Sequence, residues 1–500
     1  MNNKKVKGFT LIELLIVIAI IGILATIAVI SLQNARVKSR DARRLSDVDQ
    51  MQTALTLYYR DKGKYPAISD FVAGGSLIAT TSAGTVTYMA LIPTAPTPAD
   101  GTCSNSDNAY HYSPSSDFKK YTIYYCLGEK TADVGSGNHA ATSDGINAAP
   151  AWSLLGVYDG YVSDTTVVNG VPYISYNLGP QDGYHGFVKR YVNGNWENVG
   201  LGNTGISTGS AVSVYLKTAE NGDLYAFYIT FDGGSHVVAA KYTGNGATGW
   251  EALGDSSFFP PSSTSLTASW TIKNNTVYAI YNYSDGNIVA AKFNGSSWVQ
   301  IGSIIAGNYI DIAGIAVNDD NEVYVMYHKK SDYGIYVDKF NSGTSSWEHV
   351  GGYADSDYGF SSQEHNLKIV AGKPCVFSRA QAYSSYTLHA MCSDGSSWAP
   401  LGYNLNPYGP SGFVSTYNPS YISVDYSGGK VYVAYKDANQ DGKISILQNG
   451  LKTGEEWSEV SYPGLSDGVI SASNMFIDNS GVLYLSYNDG GKTYIKKYAR

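Results

Sequence analysis

The sequence predicts a multidomain protein. A long N-terminal transmembrane helix leads into a small α+β domain, and an all-β region built from repeats follows. Three observations predict this. Residues Phe9–Ile30 are almost wholly apolar, lack proline and hold a single acid, Glu13. Residues Ser31–Asp61 contain neither Pro nor Gly and place Leu45, Val48, Met51, Leu55 and Tyr58 at three- and four-residue steps, the period of a helical stripe. Beyond residue 150, seven tryptophans recur at near-regular intervals.

The first segment is 22 residues long, enough for one helix to cross a bilayer. Lys4, Lys5 and Lys7 precede it, which by the positive-inside bias leaves the N-terminus in the cytoplasm. No small-x-small cleavage site follows it, so it does not read as a removable secretory signal. Glu13 is the anomaly, because an acid in the bilayer is costly and calls for a partner.

The string GFTLIELLIVIAIIGILA (8–25) with its basic leader resembles the N-terminus of type IV pilins and type II secretion pseudopilins. Gly8 is the small residue before the cut, Phe9 the new N-terminus and Glu13 the fifth mature residue. The resemblance implies cleavage between Gly8 and Phe9 by a prepilin peptidase, N-methylation of Phe9, and retention of 9–30 as a membrane anchor. It also implies assembly with other pilin or pseudopilin subunits, with Glu13 meeting the α-amine of a neighbour. Many members carry a kinking Pro late in this segment, where Ile30 stands here.

The helix should run on from the membrane to about Asp61, roughly 80 Å at 1.5 Å per residue. RDKGKYP (60–66) should end it, with Gly63 as a left-handed cap and Pro66 unable to continue. AYHYSPSSDFKKYTIYYCLGE (109–129) reads as two strands joined by a turn at Pro114–Asp117. Cys126 closes the second strand and can reach Cys103. Residues 135–146, GSGNHAATSDGI, lack periodicity and read as a loop. The expected domains are a leader (1–8), a transmembrane helix (9–30), a pilin-like domain (31–147), a linker (148–150) and the repeat region (151–500).

Trp152, Trp196, Trp250, Trp298, Trp347, Trp398 and Trp457 each open a W-x-x-[LVI] unit, with spacings of 44, 54, 48, 49, 51 and 59 residues. A period near 50 is the size of a propeller blade. Most units contain a strand with two aromatics, such as VPYISY (171–176), TVYAIY (276–281) and VLYLSY (482–487). KPCVFS (373–378) stands at that place in the fifth. Four strands per unit is the pattern of a β-propeller. The tryptophans and the aromatic strands are offset. The first tryptophan precedes any complete unit, and the last unit stops after YIKKYA. The strand at Trp152 should therefore complete the last blade, closing seven four-stranded blades and removing two exposed edges. The tryptophans read as inter-blade packing, and the paired tyrosines as partly packed and partly solvent-facing. Cys375 and Cys392 sit in adjacent strands and read as a disulfide, as paired cysteines beyond an export anchor do.

SDGSSW (393–398) and FNGSSW (293–298) are faintly similar to the repeated turn of sialidases. Beyond residue 151, however, the chain has only Arg190, Arg379 and Arg500, too few to hold that family's acidic substrate. These turns read as hairpin chemistry, and surface glycoside hydrolysis is the weakest functional class. DANQDGK (437–443) places Asp437, Asn439 and Asp441 ahead of Gly442, the first half of a calcium loop. Its first reading is a solvated hairpin turn, with calcium the second, and no cofactor is required. Residues 151–500 hold 20 Lys+Arg against 30 Asp+Glu. That acidic balance disfavours nucleic acid and favours neutral glycans or basic protein patches as partners. Loops rich in Tyr, Ser, Gly and Asn suit adaptable recognition, and Tyr283, Tyr333 and Tyr383 are their candidate contacts. The expected function is a minor or tip pilin-like subunit at the cell surface, with an extracytoplasmic propeller that binds an extracellular glycan or protein. A pseudopilin that contacts exported protein is the alternative.

Overall fold

The computed structural model describes residues 11–498 except 82–83, 102, 104–107, 115–117, 132–133, 144, 148–151, 178–184, 201–204, 207–209, 231–235, 245–248, 256–257, 260–267, 284–286, 306–308, 330–333, 357–364, 383–384, 402–419, 438–439, 452–456, 461–464, 467 and 479. The chain divides into two compact units, Met1–Ala151 and Trp152–Arg500.

In the first unit one helix, α1 (Leu11–Lys62), runs unbroken for 52 residues through Ile30, about 78 Å. It is long and apolar enough near its start to cross a membrane. Gly63 ends it at φ +67°, and its N–H donates to Tyr59 O at 2.7 Å. The stripe Val48, Met51, Leu55 and Tyr58 is buried against Ile123, Tyr125 and Ala141. Strands β1 (Leu77–Thr81) and β2 (Gly84–Met89) form a hairpin. Strands β3 (His111–Pro114), β4 (Tyr121–Leu127), β5 (Gly137–Thr142) and β6 (Gly145–Asn147) form an antiparallel sheet in chain order. The loop expected over 135–146 is therefore a correction. Its small residues have weak strand propensity, but β4 offers an open edge, and β5 takes it from Leu127↔Gly137 to Thr122↔Thr142. Ala141 is fully buried there, where a larger side chain would have to displace the helix stripe.

Arg44 ties α1 to the chain that crosses it. The side chain is fully buried and donates to Asp41 (2.7 Å), Asn108 (2.6 Å) and the carbonyl of Pro96 (3.0 Å). Asp41 in turn accepts from the backbone N–H of Gly128 and Glu129. Arg40 forks onto Asp100. A buried charge is costly unless paired, and the two terminal nitrogens of Arg44 are paired in this way, so the cluster fixes the crossing. The Cys103–Cys126 disulfide spans the same region.

The second unit begins with β7 (Trp152–Asp159). Of the nine sheets among the described residues, seven lie in this unit. Six are antiparallel meanders in chain order: 164–199, 212–252, 268–305, 309–349, 365–400 and 420–459. The seventh takes three strands from 470–498, and β7 pairs as its outermost strand from Lys492↔Asp159 to Tyr498↔Trp152. The first strand of each sheet packs beside that of the next, and the last returns to the first. Six of these sheets have four strands, and the one spanning 309–349 gains a short fifth, Asp355–Ser356; this radial array is a β-propeller. The paired tyrosines of the second strands are all buried, including Tyr173, Tyr176, Tyr278, Tyr281, Tyr484 and Tyr487. The expectation that some reach solvent is corrected. Residues three apart lie on opposite faces of a strand, but here a neighbouring sheet covers each face.

Candidate functional site

The repeated W-x-x-[LVI]-G string is a clasp between neighbouring sheets. Indole N–H groups reach back to a carbonyl on the outer strand of the preceding sheet or one residue past its end: Trp196 to Val157 (3.0 Å), Trp298 to Leu253 (2.7 Å), Trp347 to Ser303 (3.0 Å), Trp398 to Val350 (2.7 Å) and Trp457 to Leu401 (3.0 Å). The ring seats on the glycine of the preceding unit. A Cβ on Gly302, which sits at φ +66°, would come within 2.8 Å of Phe340 and 2.9 Å of the Trp347 indole nitrogen. Trp152 breaks the pattern. Val460 O, at the equivalent place on the preceding unit, accepts from the Tyr498 hydroxyl at 2.9 Å. The Trp152 indole N–H is buried without a partner among the described residues.

At the other end of each sheet the inner strand leaves one row of N–H and C=O groups outside the ladder. Side chains from the preceding sheet cap them. Asp164 accepts from Leu216 N–H (2.8 Å), and Asp425 accepts from Ile477 N–H (2.7 Å). Lys217 donates to Trp270 O (2.7 Å), Asn366 to Ile422 O (3.0 Å) and Asn474 to Thr165 O (3.1 Å). These groups line a central cavity of about 750 Å³. A second cavity of about 540 Å³ shares Lys217, Ser269, Asn366 and Lys368 with it. Lys368 lies 3.6 Å from Asp425. Enclosure pushes the Asp164 carboxyl up to about 6 against the pull of its N–H donors. Enclosure first, and then the charge of Lys368, draws the Lys217 amine down to about 8. Both residues are surrounded by the ring yet keep partial contact with water. The arrangement can hold a polar ligand of sugar size.

The residues expected from sequence are distributed differently. Gly8 and Phe9 lie outside the described residues, and Glu13 lies within α1 with its side chain outside them. Cys375 and Cys392 are directly opposite across two strands and bonded. Tyr283 ends a strand with its side chain outside the described set, and Tyr333 and Tyr383 lie outside it. Asp437 is buried and accepts from the Ser445 hydroxyl at 2.8 Å and from Tyr435 at 3.5 Å. Asp441 occupies a turn at φ +55°, and Asn439 is outside the described residues. Among the described residues no group of three or more His, Cys, Asp or Glu side chains is placed to hold a metal. The turns at 294–297 and 394–397 are capped hairpins. Asp394 accepts from the N–H of Ser396 and Ser397, which pull its carboxyl down to about 2.

Sequence reasoning missed the channel. Its signal was present as lone charges inside inner strands that otherwise read as apolar, namely Lys217 in VSVYLKT, Lys368 in HNLKIV and Asp425 in YISVDY.

A family model described as the prokaryotic N-terminal methylation motif matches residues 3–29. Type II secretion system core protein G of Aeromonas hydrophila is 36% identical over 66 residues, 13% of this chain and 46% of that protein. Fimbrial protein EcpC of Eikenella corrodens is 49% identical over 61 residues, 12% of this chain and 40% of that protein. Type IV major pilin protein PilE1 of Neisseria gonorrhoeae is 42% identical over 64 residues, 13% of this chain and 39% of that protein. The chain spans under half the length of these curated relatives. Among solved structures, the polysaccharide lyase Uly1 aligns with 68% of this chain and 90% of its own at TM-score 0.44 and 10% identity. A fucose-specific lectin from Aleuria aurantia aligns with 61% of this chain and 96% of its own at TM-score 0.38 and 16% identity. At those scores the fold rests on the strand pairing above. The N-terminal segment of this chain carries the methylation motif shared with type IV pilins and type II secretion pseudopilins, and a β-propeller follows it in the same chain.

Proposed function

We propose that this chain is a minor or tip subunit of a type IV pilus that carries a seven-bladed propeller as an extracellular binding head. One observation carries the reading: a methylation-motif helix and a ring closed by its own first strand are joined in one chain. The motif supplies an anchor and an assembly helix. The ring supplies a rigid scaffold with many loops, suited to recognition. A unit running from Trp152 to Arg500 is too bulky to repeat along a tightly packed filament, which favours a sparse or terminal place. Binding rather than catalysis is the proposed activity. Its partners are an extracellular glycan or protein, contacted by tyrosines such as Tyr283, Tyr333 and Tyr383. The reading includes neither a nucleic-acid partner nor a required calcium ion.

Immunogold labelling of sheared filaments tests it. Label at tips or at rare positions is the expected outcome. Label confined to the envelope, with a secretion defect on deletion, would replace it by the pseudopilin reading. The similarity to core protein G favours that alternative. Turnover of a glycoside by the purified chain, without binding to any surface, would replace both by a hydrolase.

A further inference from the structure

The inner-strand positions opposite the first tyrosine of each second strand, or opposite Cys375 in the fifth sheet, are equivalent around the ring. They are Thr166, Lys217, Thr271, Ala316, Lys368, Asp425 and Phe476. Capping a neighbour's strand edge does not need a charge, since Asn366, two residues before Lys368, caps Ile422 O as a neutral amide. Two of the seven are nevertheless lysines. They flank the second cavity on either side, while Ser269, Thr271, Gly314 and Ala316 on the two sheets between them keep it open. Lys273 also lines this cavity but is paired with Asp319. Lys368 has Asp425 at 3.6 Å. Lys217 donates to the Trp270 carbonyl at 2.7 Å and also feels the opposite charges of Asp164 and Asp425.

Two cations enclosed together repel, and each is costly to hold away from bulk water. A bound anion between them would relieve both terms, and the remaining wall of hydroxyl, amide and backbone groups would suit a polyol. We propose that the channel between Lys217 and Lys368 binds the anionic group, a carboxylate or a phosphate, of a sugar-sized ligand. The acidic balance of the whole region pointed to neutral or basic partners. That balance governs approach to the outer surface, whereas contact strength inside an enclosed cavity depends on the few charges lining it. The proposal rests on reading the propeller as a binding module and not on where the module is displayed.

The test uses the full chain in detergent micelles, titrated calorimetrically with galacturonate, glucose 6-phosphate and their neutral parents galactose and glucose. At least one acidic sugar should bind, with the neutral parent weaker by roughly tenfold or more. Binding of only one acidic sugar identifies carboxylate or phosphate as the group, and binding of both identifies a general oxyanion site. Lys217→Met and Lys368→Met should each weaken binding by roughly tenfold. A second measurement needs no variant. The acidic sugar should protect Lys217 and Lys368 of the wild-type chain from acylation, read by mass spectrometry, and leave exposed Lys373 unprotected. Equal binding of neutral sugars, no binding of either acidic sugar at millimolar concentration, or protection elsewhere than at these two lysines would overturn the site. A chain absent from filaments that still binds an acidic sugar refutes the pilus reading and leaves the channel standing. A filament-borne chain that binds none does the reverse.

Discussion

Trp298 and Trp152 open the same sequence unit but do different work. The Trp298 indole donates to Leu253 O, whereas the Trp152 indole N–H has no partner among the described residues. Replacing each with Phe keeps an aromatic ring and removes the donor. Trp298→Phe should cost about 1 kcal/mol, because it leaves a half-buried carbonyl without its bond. Trp152→Phe should cost less. Urea denaturation of the two variants checks this, and equal losses would show that the clasp hydrogen bonds contribute nothing. In the first unit, the Arg40 fork is the leading reason that Asp100 sits below its ordinary 3.8. A carboxyl depressed in the folded state contributes stability that is complete above its unfolded value and is lost as pH falls through the folded value. Melting of the N-terminal unit should therefore drop as pH falls below the ordinary Asp100 value of 3.8. Asp100→Asn should be less stable at neutral pH and flatter across that window. A variant with the same acid slope as wild type would rule out this pair as its source.

At the scale of elements, β7 decides whether the ring is closed. It covers the outer edge of the strand Lys492–Tyr498 from Asp159 to Trp152 and buries the Trp152 ring against Tyr498 at 5.1 Å. Deleting residues 151–156 opens that edge and removes a buried tryptophan. Truncating such a side chain alone costs about 3–5 kcal/mol. A large fall in melting temperature, or aggregation through the bare edge, is the expected outcome. A deletion that melts like the intact chain would mean that the ring closes another way. The Cys375–Cys392 bond plays a comparable local part, tying two strands of the fifth sheet where the tyrosine pair of the other sheets is missing.

For the whole molecule, the proposed function makes the N-terminal methylation motif the determinant of processing and assembly. The mature chain should begin with N-methylated Phe9. Mass spectrometry of filament-associated protein checks this, and an intact Met1 would refute it. Glu13→Ala should leave membrane insertion intact, since it makes the segment more apolar, yet slow or block entry into filaments. Normal assembly of that variant beside wild-type subunits would remove the proposed pairing with a neighbour's α-amine.

The sequence by itself determined what depends on local pattern. A run of 22 mostly apolar residues behind three lysines specifies a helix long enough for an anchor, because bilayer thickness sets the length. The stripe from Val48 to Tyr58 specifies the buried face of α1, because helical period is a property of the chain alone. The tryptophan period, offset from the aromatic strands, specified which strand pairs with Lys492–Tyr498, because a repeat must pair its own edges. What lay beyond reach depends on partners far apart in sequence. β5 is a strand because β4 presents an edge to it, not because GNHAAT favours one. The second-strand tyrosines are buried on both faces because sheets stack against each other around a ring. The channel is assembled from inner strands as far apart as Asp164 and Asn474. Each supplies one or two polar side chains that look incidental in their own repeat. Only the closed ring brings Lys217 and Lys368 to one cavity, because their meeting follows from the curvature of the whole array and from no local feature of either strand.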